Sequence, residues 1–171
     1  MRTRVLLPAV LLLAAGAVVA CDDDDFLEPF FVTWTATMNA ANEVASPGVD
    51  SPGTGLATFE LDGNLLRFHI SVASLTTPPV SSHIHLGPAG VNGPIMIDLF
   101  PPGTTVPSAT TNNDFASGVI DLSLPNVANR SDFDIAGDSL RRLLDTRQLY
   151  VDVHTERFPG GEIRGQIVRQ P

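Results

Sequence analysis

The sequence predicts an all-β antiparallel sandwich or barrel with one short helix, and three observations carry that prediction. Beyond Phe30, apolar and polar residues alternate in short runs at period two, as in strands with one buried face. Clusters of Gly, Pro, Asn, Asp and Ser separate these runs. Helical periodicity is confined to one stretch, and no repeat of fixed period or second domain is evident.

The first strand is expected around Val32, Trp34, Ala36 and Met38, which alternate with Thr33, Thr35 and Thr37. A Pro/Gly/Ser-rich loop, 45–53, leads to a second strand carrying Ala57, Phe59 and Leu61. Asp62-Gly63-Asn64 is a hairpin turn signal, because Gly and Asn tolerate positive φ. The returning strand places Leu66, Phe68, Ile70 and Val72 on one face and Arg67, His69 and Ser71 on the other. Two short strands follow, at 82–86 and 94–100, the latter with Ile95, Ile97 and Leu99 in phase. Residues 101–114 read as a surface loop, and strand character resumes over 115–122. Residues 135–145 form the helical candidate, with Leu140, Leu143 and Leu144 on one face and Asp138 or Ser139 as its cap. A last hairpin joins 148–155 to 163–168 through Phe158-Pro159-Gly160-Gly161.

The N-terminus reads differently. Arg2 and Arg4 precede an apolar run from Val5 to Val19, too short to span a bilayer comfortably, and small residues follow it. The boundary Val18-Val19-Ala20-Cys21 resembles the lipobox of bacterial lipoproteins, with valine where leucine is commoner. That resemblance implies a signal peptide over 1–20 and acylation of Cys21, the chain's one cysteine. An intrachain disulfide is therefore impossible, and a lone free thiol would be a liability in an oxidising compartment. Asp22 to Asp25 open an acidic tether over 21–29, and the folded domain is expected over 30–169. The expected location is the bacterial cell envelope, lipid-anchored on the periplasmic face or the cell surface.

The whole chain has a formal charge of −9 and contains no lysine. Such a surface is unsuited to neutralising a phosphate backbone, so nucleic acid is excluded as an expected partner. It is equally unsuited to lying on anionic lipid, which leaves acyl chains as the expected membrane contact. No G-x-S-x-G elbow, P-loop or Rossmann glycine pattern is present, and the carboxylates are scattered. No residue set calls for an enzyme.

Three histidines draw attention. His83 and His85 stand one residue apart, which on a strand puts both on one face with Cα atoms about 6.6 Å apart. His154 is in phase with Tyr150 and Asp152, opposite Leu149, Val151 and Val153. If its strand neighbours that of His83, three rings converge, a neutral nitrogen set that suits copper or zinc. Asp152 or Glu162 would then orient a ligand ring from outside. The other reading is a polar cluster bonded to loop backbone, in keeping with the adjacent Ser81, Ser82 and Thr155. His69 belongs to a polar strand face and is left out. Glu43 is expected to pin its loop by accepting backbone N–H bonds, and Gly87, Gly90, Gly93, Gly160 and Gly161 are expected turn residues.

Taken together, several segments resemble the CHRD domain, first named from chordin. They are Met38-Asn39-Ala40-Ala41-Asn42-Glu43-Val44; Gly53-Thr54-Gly55-Leu56-Ala57 leading into Phe59; and His83-Ile84-His85 with Gly87, Gly90 and Asn92-Gly93-Pro94. The most specific is Tyr150-Val151-Asp152-Val153-His154-Thr155 followed by Pro159-Gly160-Gly161-Glu162-Ile163-Arg164-Gly165-Gln166-Ile167. The resemblance implies a secreted or lipid-anchored domain whose molecular function is unsettled. A fainter similarity connects the pattern with copper–zinc superoxide dismutase. In that enzyme an H-x-H pair and a late histidine preceded by valine bind copper, as His83, His85 and Val153-His154 would here. The two resemblances imply an immunoglobulin-like or superoxide-dismutase-like Greek-key β-sandwich. The departures concern the chemistry. The chain has no histidine near Gly93-Pro94-Ile95, no further zinc-ligand histidines and no disulfide, and Arg164 stands at a different offset from the enzyme's anion-guiding arginine. Superoxide dismutation is not expected.

Two functional readings follow. The first is a membrane-anchored extracytoplasmic CHRD module that binds a partner, such as an extracellular protein, or serves structurally. The second is a metalloprotein holding copper or zinc on His83, His85 and His154, with scope for redox activity.

Overall fold

A computed structural model describes residues 31–44, 48–100, 113–130 and 132–171. The expected signal peptide, Cys21, the acidic tether and nearly all of the 101–114 loop lie outside the described residues. Among the described residues are nine strands and one α-helix: β1 (Val32–Asn39), β2 (Thr54–Asp62), β3 (Leu65–Ala73), β4 (Pro79–Leu86), β5 (Ile95–Phe100), β6 (Asn113–Asp121), α1 (Gly137–Leu144), β7 (Leu149–Thr155), β8 (Ile163–Gln166) and β9 (Val168–Arg169).

Every strand pair is antiparallel. The strands form one continuous path, β5-β4-β7-β8-β1-β2-β3-β6, with β9 beside β1. The path curls until β5 and β6 touch without pairing, so the sandwich is a nearly closed barrel. The order β7-β4-β5-β6 across this seam is that of a Greek key, in which the fourth strand returns beside the first.

The expected alternation fills the interior. Trp34, Ala36 and Met38 of β1 pack with Ala57, Phe59 and Leu61 of β2 and with Leu66, Ile70 and Val72 of β3. Ile84, Leu149, Val151, Val153 and Ile163 close the other side, and Leu140 and Leu144 of α1 join the same core. In β5 strict alternation fails, because Met96, Ile97, Leu99 and Phe100 are all buried. The pairing of β4 with β5 slips between Ser82 and His83 and again between Ile84 and His85. Bulges of this kind bend a strand and re-aim its side chains.

The helix starts two residues inside the expected 135–145 span but ahead of both residues expected to cap it. Its N-cap is Ala136, with no side-chain cap, in place of Asp138 or Ser139. The Gly137 N–H donates instead to the Leu124 carbonyl at 3.3 Å. A side chain at Gly137 would sit 2.0 Å from the Leu122 oxygen, so close backbone packing sets the start. Asp138, in the first turn, complements the helix dipole.

Candidate metal centre

β7 is buried along its whole length, although only one face of it meets the apolar core. Its other face carries Tyr150, Asp152 and His154, and neighbouring β4 carries Ser81, His83 and His85. In register, Ser81 opposes His154, His83 opposes Asp152, and His85 opposes Tyr150; on the far side Asp152 opposes Arg164 of β8.

Loops cover this polar layer. Arg164 is 2% exposed and donates to Asn92 Oδ1 and to the carbonyls of Pro88 and Val91, which folds the 87–94 turn over the sheet. Its guanidinium lies 3.4 Å from the centre of the Tyr150 ring, and that ring stacks on His85. The 40–44 segment closes another side through Asn42 Nδ2 on the Arg164 carbonyl and Asn92 Nδ2 on the Val44 carbonyl. The face is thus buried rather than solvated, because a folded-back loop is bonded onto it.

Within the layer, His83, His85, Asp152 and His154 each offer a donor atom, and these atoms all lie within 4.8 Å of one another. The three histidines singled out by spacing are therefore brought together. His85 Nδ1 is 2.9 Å from the Gly93 carbonyl, and His154 Nδ1 is 2.9 Å from the Pro159 carbonyl. A carbonyl only accepts, so these two nitrogens carry the protons. In the neutral rings, both Nε2 lone pairs then point inward. His85 Nε2 is 3.0 Å from Asp152 Oδ2, and His154 Nε2 is 3.1 Å from Asp152 Oδ1 and 3.0 Å from His83 Nδ1. His83 Nδ1 is 3.5 Å from Asp152 Oδ1.

The two Nε2 approaches to Asp152 are ion pairs only where the ring holds a second proton and are otherwise acceptor against acceptor, whereas a neutral His83 protonated on Nδ1 donates to His154 Nε2. Among the described residues, His85 Nε2 and Asp152 Oδ1 are buried without a hydrogen-bond partner. Without a cation, protons must do the work. Burial opposes the Asp152 charge, but bonds from His154, His83 and His85 hold its carboxyl well below the usual range. Burial likewise opposes a charged His154, yet the bond and charge of Asp152 raise it above its ordinary value. A proton serves one contact at a time, whereas one metal ion would serve all four donors. With bonds of about 2.0–2.1 Å, donors around a common ion stand about 2.9–3.4 Å apart. Separations of 3.0 and 3.1 Å fall in that range and 3.5 Å lies just beyond it, while the four donors as a set lie within 4.8 Å, so an ion would draw the ligands together.

One expectation is extended and one corrected. Asp152, expected to orient a ring, also offers an oxygen to the donor group; it lies two residues before His154, the spacing that puts both on one face. Glu162 does not orient a ring. Its buried carboxylate accepts from Ser51 Oγ, Thr76 N and Oγ1, and Thr155 Oγ1, and so ties three loops together. The ring-orienting acceptors are the carbonyls of Gly93 and Pro159, which no side-chain pattern marks.

Glu43 lies beside this centre rather than pinning its loop by backbone bonds. The backbone N–H of Glu43 bonds Ala40, while Oε1 of its side chain is buried with no partner among the described residues. Burial first, and the Asp152 charge second, push its carboxyl up to about 7, against the opposing pull of His154, Arg164 and His85. It rests on Gly161, whose φ is +117° and where an added side chain would begin 2.6 Å from Glu43 Oε1. His69 pairs with Asp114 at 3.0 Å on the outer surface, with 45% of its side chain exposed, and takes no part.

The CHRD domain family model matches residues 34–167, a span that includes every member of the cluster. No curated protein and no solved structure matches the chain.

Proposed function

We propose, for a chain that belongs to the CHRD domain family, the role of a membrane-tethered extracytoplasmic binding module built around one transition-metal ion. The ion is held by His83, His85, His154 and Asp152. The observation that carries this reading is the fixed direction of two imidazoles. Their Nδ1 protons are committed to Gly93 and Pro159, which leaves both Nε2 lone pairs on the Asp152 carboxylate. Outer acceptors that fix a ring in this way accompany metal-bound histidines generally.

Three imidazoles and one carboxylate without thiolate suit Zn(II) or Cu(II), and the affinity order favours Cu(II). All four donors are 9% exposed or less. A four-donor set this enclosed fits an ion that organises the fold rather than one keeping a position open for substrate. The ion would bind the 87–94 turn to the 158–161 turn through the two oriented rings. The tether is the second part of the proposal: a signal peptide over 1–20, lipid on Cys21 and a bacterial envelope location.

The test is metal analysis of the mature chain carrying Cys21→Ser, after exposure to copper or zinc and removal of excess. The expected result is about one ion per chain, lost in the His83→Ala/His85→Ala double variant and weakened in Asp152→Asn. Protein that retains no ion, or a double variant that retains it fully, would overturn the reading.

A further inference from the structure

We infer that Asp98 is the positioning residue that turns His83 so that its Nδ1, rather than its Nε2, faces the ion, with Arg130 holding Asp98 in place; this rests on the metal reading above. His83 is the exception among the three rings. His85 and His154 each give a proton to a backbone carbonyl, and His83 does not. Its Nδ1 faces His154 and Asp152, and its Nε2 faces Asp98 Oδ1 at 3.5 Å. When an ion takes the Nδ1 lone pair, the ring proton must sit on Nε2. Asp98 is the carboxylate facing that nitrogen.

The surroundings are built to keep Asp98 there. His83 and Asp98 are register partners, and the β4–β5 pairing slips next to His83 and again before His85. The pair is thus set between two irregularities that aim these side chains independently of the ladder. On its free edge the Asp98 backbone is gripped by one carboxamide: Asn129 Oδ1 accepts from its N–H and Asn129 Nδ2 donates to its carbonyl, each at 2.8 Å. The Asp98 carboxylate accepts from Arg130 at 3.0 Å, and Arg130 also bonds both oxygens of Asp132 at 2.9 and 3.0 Å. Asp98 keeps 17% of its side chain exposed, against 65% for Asp132, so the chain of contacts runs from solvent to His83. Asp98, His83 and the ion would form a carboxylate–histidine–metal relay, in which the carboxylate fixes the tautomer and raises the basicity of the ligand nitrogen.

The test loads the mature chain carrying Cys21→Ser with zinc and records imidazole nitrogen-15 spectra, which report for each ring the metal-bound and the protonated nitrogen. The expected result is Nδ1-bound, Nε2-protonated His83 beside Nε2-bound His85 and His154. Asp98→Ala should lose the single His83 state and about 10- to 100-fold in zinc affinity. Asp98→Asn, which keeps a carbonyl oxygen, should recover part of both, and His69→Ala, on the outer surface, should leave the His83 signals unmoved. Circular dichroism of each variant separates a lost position from a lost fold. Zinc bound through His83 Nε2, or a folded Asp98→Ala chain with unchanged signals and affinity, would overturn the inference while leaving the metal reading intact. Failure of the parent chain to hold zinc would bring down both.

Discussion

Asp152 and Glu43 are two carboxyls beside the same three imidazoles, and burial and bonding drive them in opposite directions. Asp152 is held below the usual range by the rings bonded to it, so its contribution to stability is present above pH 3.8 and lost as the pH falls through its depressed value. His154 is raised, so its contribution is present below pH 6.5 and lost as the pH rises through its folded value. Glu43, raised to about 7, has the reverse sign for a carboxyl. It costs stability increasingly from pH 4.5 upward, with the full cost present above 7. In metal-free protein, Glu43→Gln should therefore match the parent near pH 4.5 and exceed it at pH 8, by about 3 kcal/mol at most. Denaturant midpoints for both chains across that range check it, and a gap independent of pH would refute it. At this scale the residue types were legible, since His83, His85 and His154 stand out by spacing alone. Glu43 was not, because its state depends first on burial in the packed fold and then on a carboxylate more than a hundred positions away.

Turns, at the scale of elements, do more than reverse the chain. Gly93 lies between β4 and β5; its N–H donates to the Tyr150 hydroxyl at 3.2 Å and its carbonyl holds His85. A side chain there would start 1.6 Å from the Leu86 oxygen, which no small adjustment relieves. Gly90, three residues earlier, has φ +78° but open space around it. Gly93→Ala should thus cost on the order of 3 kcal/mol and weaken metal binding, because the acceptor for His85 moves. Gly90→Ala should cost about 1 kcal/mol, the strain of its backbone angle, and leave metal affinity unchanged. Unfolding midpoints and zinc titrations of the two variants supply the comparison; equal effects would argue against a role for the turn in the centre. Both glycines look alike in sequence, as turn formers. The steric reason for one of them exists only once β4 and the turn are packed.

The whole molecule is acidic, and a domain of this charge would need an added anchor to sit at a membrane. With ten arginines against nineteen acids, electrostatics opposes adsorption to anionic lipid, and the proposed removal of Arg2 and Arg4 with a signal peptide would make the chain more acidic still. The proposed lipid on Cys21 supplies the contact instead. Mass spectrometry of the mature protein from a bacterial host should find an acylated Cys21 as the first residue, with Cys21→Ser released to the soluble fraction. An unmodified thiol, or a mature chain beginning elsewhere, would rule the anchor out. Across the same span, hairpin order and the apolar core followed from alternation, while the last of the eight expected strands, 163–168, is divided into β8 and β9. The bulges of β4 and β5 and the start of α1 at Gly137 did not, because they answer to neighbouring backbone rather than to local hydrophobicity.

Sequence alone settled what recurs at short range: period-two strands, the Asp62-Gly63-Asn64 turn, and the same-face placement of His83 with His85 and of Asp152 with His154. These depend only on the geometry of an extended chain. Which strands lie side by side is a long-range matter, decided when β7 pairs with β4 across some seventy residues and makes four separate donors one cluster. The direction of each imidazole is settled later still, by Gly93, Pro159 and Asp98 arriving from other segments. A ring on a strand has two nitrogens to offer, and only the groups packed around it determine which one turns inward.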